Sequence, residues 1–346
     1  MGLSGMTTWM GMLLAGPLLL AGIPGPVPAL KSAGALVLDQ RTGEALLAKH
    51  AEAVVPIASL TKLMTALVVL EARQDLNARL TVEPGDVDQI RHSRSHLPVG
   101  TTLTRRELLE LALLASENRA AHALGRNYPG GMAGCVAAMN AKARSLGLQQ
   151  SRFMDTSGLH GGNMASAWDL AKILDAASKV PEIRHASTLE ELEVADGRWR
   201  RTFPNTNALV RGGSWDIGVS KTGFIDEAGP CLAMQAQVAG RPLLMVFLDA
   251  PGRFSRLGDA ARVRQWLGEG TPRPARPTLV KAKGRVSRAK APRALRVAKD
   301  APSRAKGRKA AAGKAAKGKA VNEKAMKAKA SKGKPVKSGR STRRRH

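Results

Sequence analysis

The sequence predicts an α+β fold in which an antiparallel β-sheet is flanked by helices. Two short strand-like segments, 35–39 and 45–49, come first, and helical apolar periodicity follows between residues 59 and 178. From about residue 189 the pattern changes to strands separated by short turns, and a last helical segment ends near residue 267. Sequential strands joined by short turns pair antiparallel, with the helices segregated around the sheet.

The first elements have clear local signals. The two N-terminal strands surround a turn at residues 41–43 that contains a glycine. A helix over 59–72 follows Pro56, a residue that is common near a helix start. Its apolar side chains lie nearly all around the helix, so we expect it to be buried. Residues 75–103 contain proline and glycine breaks and are predicted to be irregular.

The later helices begin at capping residues. Thr104 is followed three residues later by Glu107, which forms a capping box for a helix to about residue 115. The pattern breaks at residues 116–118, and Ser166 with Asp169 resembles another cap. The other predicted elements are a short helix to about 124, helices over 132–146, 167–178 and 254–267, and strands over 192–194, 218–222, 231–238 and 242–249.

Charge divides the chain into a nearly neutral body and a strongly basic tail. The 346 residues carry a formal net charge of +28, and residues 271–346 contribute +25 of it, with 27 Lys+Arg against 2 Asp+Glu. The tail has no aromatic residue and few large aliphatic ones, so it cannot bury enough apolar surface to offset the entropy of ordering. We predict a disordered tail at 271–346 and one folded domain at 30–270, long enough for a substantial core.

Residues 1–29 resemble a secretory signal. Residues 9–21 form an apolar stretch and residues 27–29 offer small side chains for cleavage, although no Lys or Arg precedes the stretch. We expect export to the periplasm. Because no positive residue precedes the apolar stretch, two alternatives stay open: the start codon is misassigned, or residues 1–29 are retained as a membrane anchor. Two cysteines, Cys135 and Cys231, are too few for a disulfide framework. Buried free thiols are favoured, and a single disulfide is the alternative.

Three short motifs occur in order along the body. They are Ser59-Leu60-Thr61-Lys62, Ser116-Glu117-Asn118 and Lys221-Thr222-Gly223. They match the S-x-x-K, S-D-N and K-T-G set of penicillin-binding proteins and class A β-lactamases, with Glu in place of the middle Asp. Each motif alone has an ordinary explanation as a helix cap, satisfied core polar groups or a turn. The hypothesis of a catalytic site depends on their conjunction on a helix start, a break between helices and a strand.

The first motif predicts nucleophilic catalysis. Ser59 and Lys62, three residues apart on a helix, lie on one face one turn apart. A neutral lysine can accept the serine proton, so the pKa of Lys62 must be lowered, by burial or by a nearby cation such as Lys221. Ser59 also lies near the helix N-terminus, where free N–H groups favour negative charge. The motif therefore predicts an acyl-enzyme on Ser59.

At this point the sequence resembles the low-molecular-mass penicillin-binding proteins, which are serine D-Ala-D-Ala peptidases, and looks most like their D-alanyl-D-alanine endopeptidase branch. The resemblance covers about residues 33–268 and implies the penicillin-binding/β-lactamase-like transpeptidase fold. Besides the three motifs, it rests on the segments 56–66, 115–121, 139–143, 155–159 and 220–229. Many carboxypeptidases of this family carry a second β-rich domain and a C-terminal anchor helix. We expect no such second domain here, because the chain leaves no room for it before the tail, and the endopeptidase branch lacks it.

The resemblance also implies a role for each site residue and no metal or organic cofactor. In these roles Ser59 attacks the D-Ala carbonyl, Lys62 is the general base, and Ser116 relays a proton to the leaving group. Asn118 orients the acyl chain, Lys221 and Thr222 bind the substrate carboxylate, and Gly223 adjoins the substrate. The backbone N–H groups of Ser59 and Phe224 form the oxyanion hole.

Several alternatives stay open or are disfavoured. A carboxypeptidase that removes terminal D-Ala is the alternative within the family. A β-lactamase would need a deacylating Glu, and Glu182 lacks the Glu-x-x-x-Asn pattern, so we expect slow release of bound penicillin. His92 and His96 have metal-ligand spacing but lie in a polar segment without a following acid, and His122 and His160 fit structural histidines better.

The tail predicts a polyanion partner. It is similar to lysine- and alanine-rich linker-histone tails and would bind any dense polyanion without sequence preference, so a nucleic-acid-binding protein is the alternative from another class. If the protein is exported, anionic envelope polymers or lipid head groups are the available partners. The sequence otherwise predicts peptidoglycan peptide stems as substrate, β-lactams as covalent inhibitors, and a monomer.

Overall fold

The computed structural model describes residues 26–197 and 199–268 of the chain. The predicted basic tail lies outside these residues, and so does the predicted secretory signal except for residues 26–29. The strands are β1 (Gly34–Asp39), β2 (Ala45–Lys49), β3 (Val55–Pro56), β4 (Arg79–Thr81), β5 (Thr102–Thr104), β6 (Met164–Ala165), β7 (Glu191–Ala195), β8 (Arg200–Pro204), β9 (Asp216–Gly223), β10 (Cys231–Val238) and β11 (Arg241–Leu248). The helices are α1 (Thr61–Glu71), α2 (Arg105–Leu114), α3 (Asn118–Arg126), α4 (Gly131–Ser145), α5 (Ala167–Ser178), α6 (Pro181–Thr188), α7 (Ala208–Arg211) and α8 (Ser255–Trp266), with 3₁₀ helices at Ala58–Leu60 and Pro84–Asp86.

Five strands form the central sheet in the order β2-β1-β11-β10-β9, and every neighbouring pair is antiparallel. The predicted α+β class with an antiparallel sheet is confirmed. The first strand of the body pairs with the last, because Gly34 lies opposite Leu248 and Asp39 opposite Leu243. The edge strand β9 lies against the 3₁₀ helix that contains Ser59, which brings the third motif to the first.

Both faces of the sheet are covered, which explains why its central strands are apolar throughout. Leu36 and Val246 pack into the core shared with the helical block, whereas Val37 and Met245 belong to a second apolar cluster that includes Ala260 of α8. Side chains alternate between the two faces of a strand, so covering both faces requires apolar residues at consecutive positions. The helices therefore hold the sheet from both sides and fix the position of β9.

Helix α1 is the central helix of the block. All nine residues from 61 to 69 are buried, including Lys62. The expectation of a buried helix is therefore confirmed. The predicted caps are present as well: the Thr104 side chain accepts a hydrogen bond from the Glu107 N–H in a reciprocal capping box, and the Ser166 side chain accepts one from the Asp169 N–H.

The structure differs from the prediction in the short elements. Residues 75–103 are not irregular throughout, since β4 pairs with β5 across them. Strand β8, which pairs with β7, and the helices α6 and α7 were not predicted. These elements are three to eight residues long and are stabilised by pairing and burial rather than by local pattern. In the described part of the chain, no helix combines the length and apolarity needed to cross a membrane.

Candidate active site

Ser59 lies in the 3₁₀ turn that leads into α1, and Lys62 lies in the first turn of that helix. The Lys62 Nζ donates a hydrogen bond of 2.8 Å to the Ser59 Oγ. The preceding residue, Ala58, is fully buried with φ of 47°, in the left-handed region that a non-glycine residue rarely adopts. This constrained turn orients Ser59 relative to the helix, so the predicted one-turn contact between hydroxyl and amine is present.

The Lys62 amine is almost completely removed from solvent, with 1% of the residue exposed. Besides Ser59, it donates to the Asn118 Oδ1 at 2.8 Å and to the Ser157 backbone oxygen at 2.6 Å. Burial lowers its pKa from the usual value to about 7, against the opposing charges of Asp155 and Glu117. Among these three partners, only the Ser59 hydroxyl has a proton to give. The neutral amine can therefore keep donating to Asn118 and Ser157 while its lone pair accepts a hydrogen bond from the Ser59 hydroxyl.

The second motif lies between α2 and α3. Ser116 has φ of 58°, and this left-handed residue ends the helical run as the predicted break requires. Asn118 begins α3; its Oδ1 accepts from Lys62 and its Nδ2 donates to the Ser93 Oγ at 3.0 Å. Ser116 and Asn118 line the same pocket as Ser59.

The unusual middle residue, Glu117, points elsewhere. Its Oε1 accepts from the Ser95 Oγ at 2.6 Å and from the backbone N–H of Arg119, so it caps α3. Glu117 is buried and contributes a negative charge close enough to oppose the lowered pKa of Lys62. Where the motif usually has Asp, this chain therefore has a Glu that bonds to Ser95 in a neighbouring loop. The two outer residues of the motif, Ser116 and Asn118, still face the pocket.

The third motif is at the end of β9. Lys221 is buried, and its Nζ donates to the Thr222 backbone oxygen at 2.9 Å. Burial lowers the pKa of Lys221 well below its ordinary value, and the charges of Lys62 and Arg256 lower it further. Of the two causes predicted for a lowered pKa of Lys62, burial or a nearby cation such as Lys221, burial is the one that lowers it, and the repulsion between the two amines lowers the pKa of Lys221 instead. The Thr222 hydroxyl donates to the Thr206 Oγ1 at 2.7 Å.

Two glycines allow the backbone to approach Ser59 from both sides. A Cβ on Gly223 would lie 3.2 Å from the Ser59 N, which is tighter than side chains normally pack. A Cβ on Gly158, whose φ is 82°, would lie 2.0 Å from the Ala58 oxygen, closer than any real contact. Gly158 is therefore required for the observed packing of the 155–160 loop against the turn with Ser59, and Gly223 allows β9 to pack closely against the same turn.

The carboxylate of Asp155 holds the 155–160 loop in place. Asp155 accepts hydrogen bonds from the backbone N–H groups of Ser157, Gly158 and His160 at 2.6–2.9 Å. This fixes the Ser157 carbonyl, whose oxygen accepts a hydrogen bond from the Lys62 amine. The loop was noted in the sequence only as part of a resemblance, and no residue type in it signals that a backbone oxygen contributes to the site.

A pocket of about 400 Å³ opens beside Ser59. The pocket is lined by Ser59, Ser116, Asn118, Pro204, Asn205, Thr206, Ala208, Arg211, Thr222, Gly223, Phe224, Arg253, Phe254, Arg256 and Leu257. Arg256 is 9% exposed; its Nη1 donates to the Arg253 oxygen, and its buried Nε has no hydrogen-bond partner among the described residues. Such a guanidinium beside Thr222 favours an anionic ligand.

Arg256 was not predicted as a site residue. The closing helix and its approach contain several arginines, and the sequence does not show which one faces the pocket. Phe224 lines the pocket and is 60% exposed. All eight residues predicted for the site lie at or next to this pocket, with Lys62 and Lys221 buried behind its wall.

The residues that supported other functions lie apart from the pocket lining. The His122 Nδ1 lies 2.8 Å from the Asp86 Oδ1, so the prediction of a structural role for this histidine is confirmed. Glu182, the weak deacylation candidate, lies beside Leu67 and Leu70 in a different surface groove. His92 and His96 are exposed. Cys135 and Cys231 are buried free thiols, as favoured, and burial raises their pKa values to about 12 and about 11.

The geometry suits acyl transfer. It combines a hydroxyl, a buried amine whose pKa is about 7, backbone N–H groups at a helix start, and cationic groups at one end of the pocket. A carboxylate on the leaving group would face Thr222 and Arg256.

Comparisons with known proteins agree with this chemistry. The sequence profile of the D-alanyl-D-alanine carboxypeptidase family matches residues 24–252. The chain is 43% identical over 243 residues to a D-alanyl-D-alanine endopeptidase of Pseudomonas aeruginosa, covering 70% of this chain and 78% of that protein. It is 38% identical over 245 residues to a D-alanyl-D-alanine endopeptidase of Escherichia coli, covering 70% of this chain and 79% of that protein.

A relative named a carboxypeptidase is less similar to this chain than the two named endopeptidases. A D-alanyl-D-alanine carboxypeptidase of Streptomyces sp. is 30% identical over 279 residues, covering 74% of this chain and 96% of that protein. The crystal structure of the Streptomyces K15 DD-transpeptidase superposes with a TM-score of 0.64 at 28% identity, covering 69% of this chain and 98% of that chain. The fold and the catalytic family are thereby supported independently of the pocket.

Proposed function

This chain belongs to the D-alanyl-D-alanine carboxypeptidase family of serine peptidases, and we propose that it is an endopeptidase that cleaves the D-Ala–diaminopimelate cross-links of peptidoglycan. The observation that carries the catalytic part of this proposal is the 2.8 Å contact between the Ser59 Oγ and the buried Lys62 amine. The greater identity to relatives named endopeptidases favours cross-links over terminal D-Ala, whose removal by carboxypeptidase activity is the second candidate.

Acylation begins with proton transfer within the first motif. Neutral Lys62 accepts the hydroxyl proton of Ser59 as the Oγ attacks the D-Ala carbonyl carbon. The carbonyl oxygen becomes an oxyanion, which the backbone N–H groups of Ser59 and Phe224 stabilise. When the tetrahedral intermediate collapses, the C–N bond breaks and Ser116 passes the proton from Lys62 to the leaving amine. The product is an ester between the D-Ala carbonyl and Ser59.

Deacylation repeats the sequence with water in place of serine. Lys62, neutral again, accepts a proton from a water molecule that attacks the ester carbonyl. Collapse breaks the ester bond, Lys62 returns its proton to the Ser59 oxygen, and the D-Ala carboxylic acid that forms loses its own proton to solvent and leaves as the carboxylate. Lys62 needs no external base because the proton that it accepts in each half-reaction returns to the leaving group.

Recognition divides between the two ends of the site. The carboxylate next to the scissile bond on the leaving group binds Thr222 and Arg256, with the field of Lys221 behind them. Asn118, fixed by Lys62 and Ser93, donates to the acyl chain, and Gly223 lets that chain approach β9. β-Lactams present a carboxylate beside an acyl group, so they enter the same site as covalent inhibitors.

The location of the enzyme follows from its substrate and its basic segment. We propose a monomer in the periplasm, exported by residues 1–29, where peptidoglycan lies. Residues 271–346, with a net charge of +25, would hold it near anionic envelope polymers or lipid head groups by counterion release. The nucleic-acid-binding alternative requires a compartment that contains nucleic acid.

Intact-protein mass after incubation with penicillin tests the acyl-enzyme. Wild type should gain the mass of one penicillin, and Ser59→Ala should gain none. Ser178→Ala, on α5 beside Asp175 and away from the pocket, is the matched serine control and should be acylated like wild type. Defined muropeptides then separate the two activities: release of monomers from a cross-linked dimer supports the endopeptidase, and release of D-Ala alone supports the carboxypeptidase.

A further inference from the structure

A chain of hydrogen bonds runs from Lys62 out of the catalytic site into the loop before β5. The Lys62 Nζ donates to the Asn118 Oδ1 at 2.8 Å, and the Asn118 Nδ2 donates to the Ser93 Oγ at 3.0 Å. The Ser93 hydroxyl in turn donates to the carboxylate of Asp88. Neither Ser93 nor Asp88 lines the pocket, and neither was predicted from the sequence as a site residue.

The carboxylate of Asp88 sets the direction of this chain of hydrogen bonds. Its Oδ1 accepts from the backbone N–H groups of Ile90 and Arg91 at 2.8 Å and 3.0 Å, and its Oδ2 accepts from the Ser93 N–H at 2.8 Å. Burial opposes the charge, but the bonds from the Ser93 hydroxyl and from these N–H groups hold the pKa of Asp88 below its ordinary value. The group is therefore an anion at neutral pH and can only accept. The Ser93 proton is committed to it, which leaves the Ser93 oxygen as an acceptor for the Asn118 amide.

The orientation of the Asn118 amide matters for the base. An amide presents an acceptor oxygen on one side and a donor NH2 group on the other, and its partners decide which side faces which way. With the oxygen toward Lys62, the neutral amine donates to Asn118 and keeps its lone pair for the Ser59 proton. With the amide turned over, the Asn118 NH2 group would donate to that lone pair and compete with the Ser59 hydroxyl.

Lys62 enforces the productive orientation only while it is protonated. An ammonium has donors alone and requires the amide oxygen, whereas a neutral amine can donate to the oxygen or accept from the NH2 group. In the neutral state the orientation therefore depends on the partner on the other side of Asn118, which is Ser93. The Ser93 oxygen accepts from the NH2 group, and with its proton on Asp88 it offers no donor to a turned amide oxygen.

We propose that Ser93 and Asp88 are positioning residues that hold the Asn118 amide in the orientation in which Lys62 stays free to accept the Ser59 proton. The inference rests on the proposed serine-peptidase function, in which Lys62 is the base. It gives a role in the reaction to a loop that lies outside the three motifs.

The test measures the rate of penicillin acylation of Ser93→Ala as a function of pH. Loss of the hydroxyl lets the amide turn over, which should lower the rate at high pH by about fivefold, the effect of one hydrogen bond. The midpoint of the profile should also move to lower pH, because a bond donated to the neutral Lys62 amine favours that form. The charged groups around Lys62, which are Asp155, Glu117 and Lys221, are unchanged in this variant.

Two further variants separate the hydroxyl from the fold of the loop. Ser93→Thr keeps a hydroxyl and should restore both the rate and the midpoint. Ser151→Ala is the matched control, because the Ser151 Oγ donates to the Asp169 Oδ2 at 2.9 Å in a loop outside the pocket, and its acylation profile should match wild type. An unchanged profile for Ser93→Ala, a lower rate without the shift in midpoint, or a Ser93→Thr variant that behaves like Ser93→Ala would each overturn the inference.

A readout without substrate separates this inference from the proposed function. The NMR titration of the Lys62 side chain, assigned by its absence in Lys62→Met, should have a lower midpoint in Ser93→Ala than in wild type. If wild type gains no penicillin, the acyl-enzyme proposal fails, and this titration still decides whether Ser93 controls the Asn118 amide. Equal midpoints in the two proteins would show that it does not.

Discussion

The base in the proposed mechanism depends on where one amine is buried. Lys62 is surrounded by Ser59, Asn118 and the Ser157 carbonyl, and desolvation of its charged form outweighs the attraction of Asp155 and Glu117. Lysine at its ordinary pKa would be protonated at neutral pH and could not accept a proton from serine. The same burial that costs folding free energy therefore supplies the neutral form of the base.

The pH dependence of acylation follows from the lowered pKa of Lys62. With a pKa of about 7, the neutral amine makes up roughly 10% of Lys62 at pH 6 and roughly 90% at pH 8. The rate of penicillin acylation should therefore rise about tenfold between pH 6 and pH 8 and level off above. Stopped-flow or quenched mass measurements of the adduct check this, and a rate that is flat or falling over that range would contradict it.

The substitution Glu117→Gln tests in which direction the pKa of Lys62 moves when a neighbouring negative charge is removed. The negative charge of Glu117 opposes the lowering of the Lys62 pKa, so its removal should move the midpoint of the acylation profile to lower pH. Gln keeps an oxygen that can accept from the Ser95 Oγ and from the Arg119 N–H. A midpoint that moves to higher pH would show that Glu117 does not act on Lys62 through its charge.

A second prediction at the residue scale concerns Gly158. Gly158→Ala places a Cβ 2.0 Å from the Ala58 oxygen at φ of 82°, so the turn with Ser59 must shift. Penicillin acylation should fall by at least about tenfold, since a displacement of about 1 Å at a reacting group has effects of this size or larger. Gly43→Ala is the control, because it has a similar φ of 75° with nothing within 4 Å of the added Cβ.

The control separates backbone strain from collision. Both substitutions incur a left-handed strain of about 1–2 kcal/mol, so both should lower the unfolding midpoint. Only Gly158→Ala should lower the acylation rate of the protein that remains folded. Equal acylation rates in the two variants at a temperature where both are folded would show that Gly158 does not position Ser59.

At the scale of elements, the capping box of α2 can be tested by itself. The Thr104 side chain accepts from the Glu107 N–H while the Glu107 carboxylate accepts from the Thr104 N–H. Thr104→Ala should lower the free energy of unfolding by about 1 kcal/mol, whereas Thr104→Ser keeps the hydroxyl and should lose much less. Denaturant unfolding measures both, and an equal loss for Ala and Ser would contradict a role for the hydroxyl.

The elements that could be predicted from the sequence are those whose burial shows as a pattern. Helix α1 is apolar on nearly every side because it is surrounded, and β10 begins and ends at the predicted residues 231 and 238. By contrast, α6 begins at Pro181 and has only three buried residues, so its sequence carries little helical periodicity. Strand β8 has one buried residue, Phe203, and forms because β7 pairs with it.

The candidate site divides in the same way. The sequence shows the motif residues directly, because the mechanism requires these residue types at these spacings. They are Ser59, Lys62, Ser116, Asn118 and the Lys-Thr-Gly segment. Arg256 and the Ser157 carbonyl are not shown in this way, because an arginine among other arginines and a backbone oxygen acquire their role only when α8 and the 155–160 loop pack beside Ser59. Tertiary packing, which the local pattern does not encode, selects them.

At the scale of the whole molecule, charge and catalysis lie in different parts of the chain. Residues 1–270 carry a net charge of +3 and contain every residue assigned to the site, whereas residues 271–346 carry +25. The last described helix, α8, ends at Trp266, before the basic segment begins. Removing residues 271–346 therefore deletes no described contact of the fold, and the two properties can be measured separately.

Deletion of residues 271–346 should leave the penicillin acylation rate of Ser59 unchanged and abolish sedimentation with vesicles that contain anionic lipid at low salt. Binding of the full chain should weaken steeply as salt rises, because each neutralised charge releases a counterion. A variant whose tail is scrambled at constant composition should bind as well as wild type, because this attraction depends on charge density and not on order. If the deletion variant still sediments, or if the scrambled tail does not bind, electrostatic tethering by this segment is wrong.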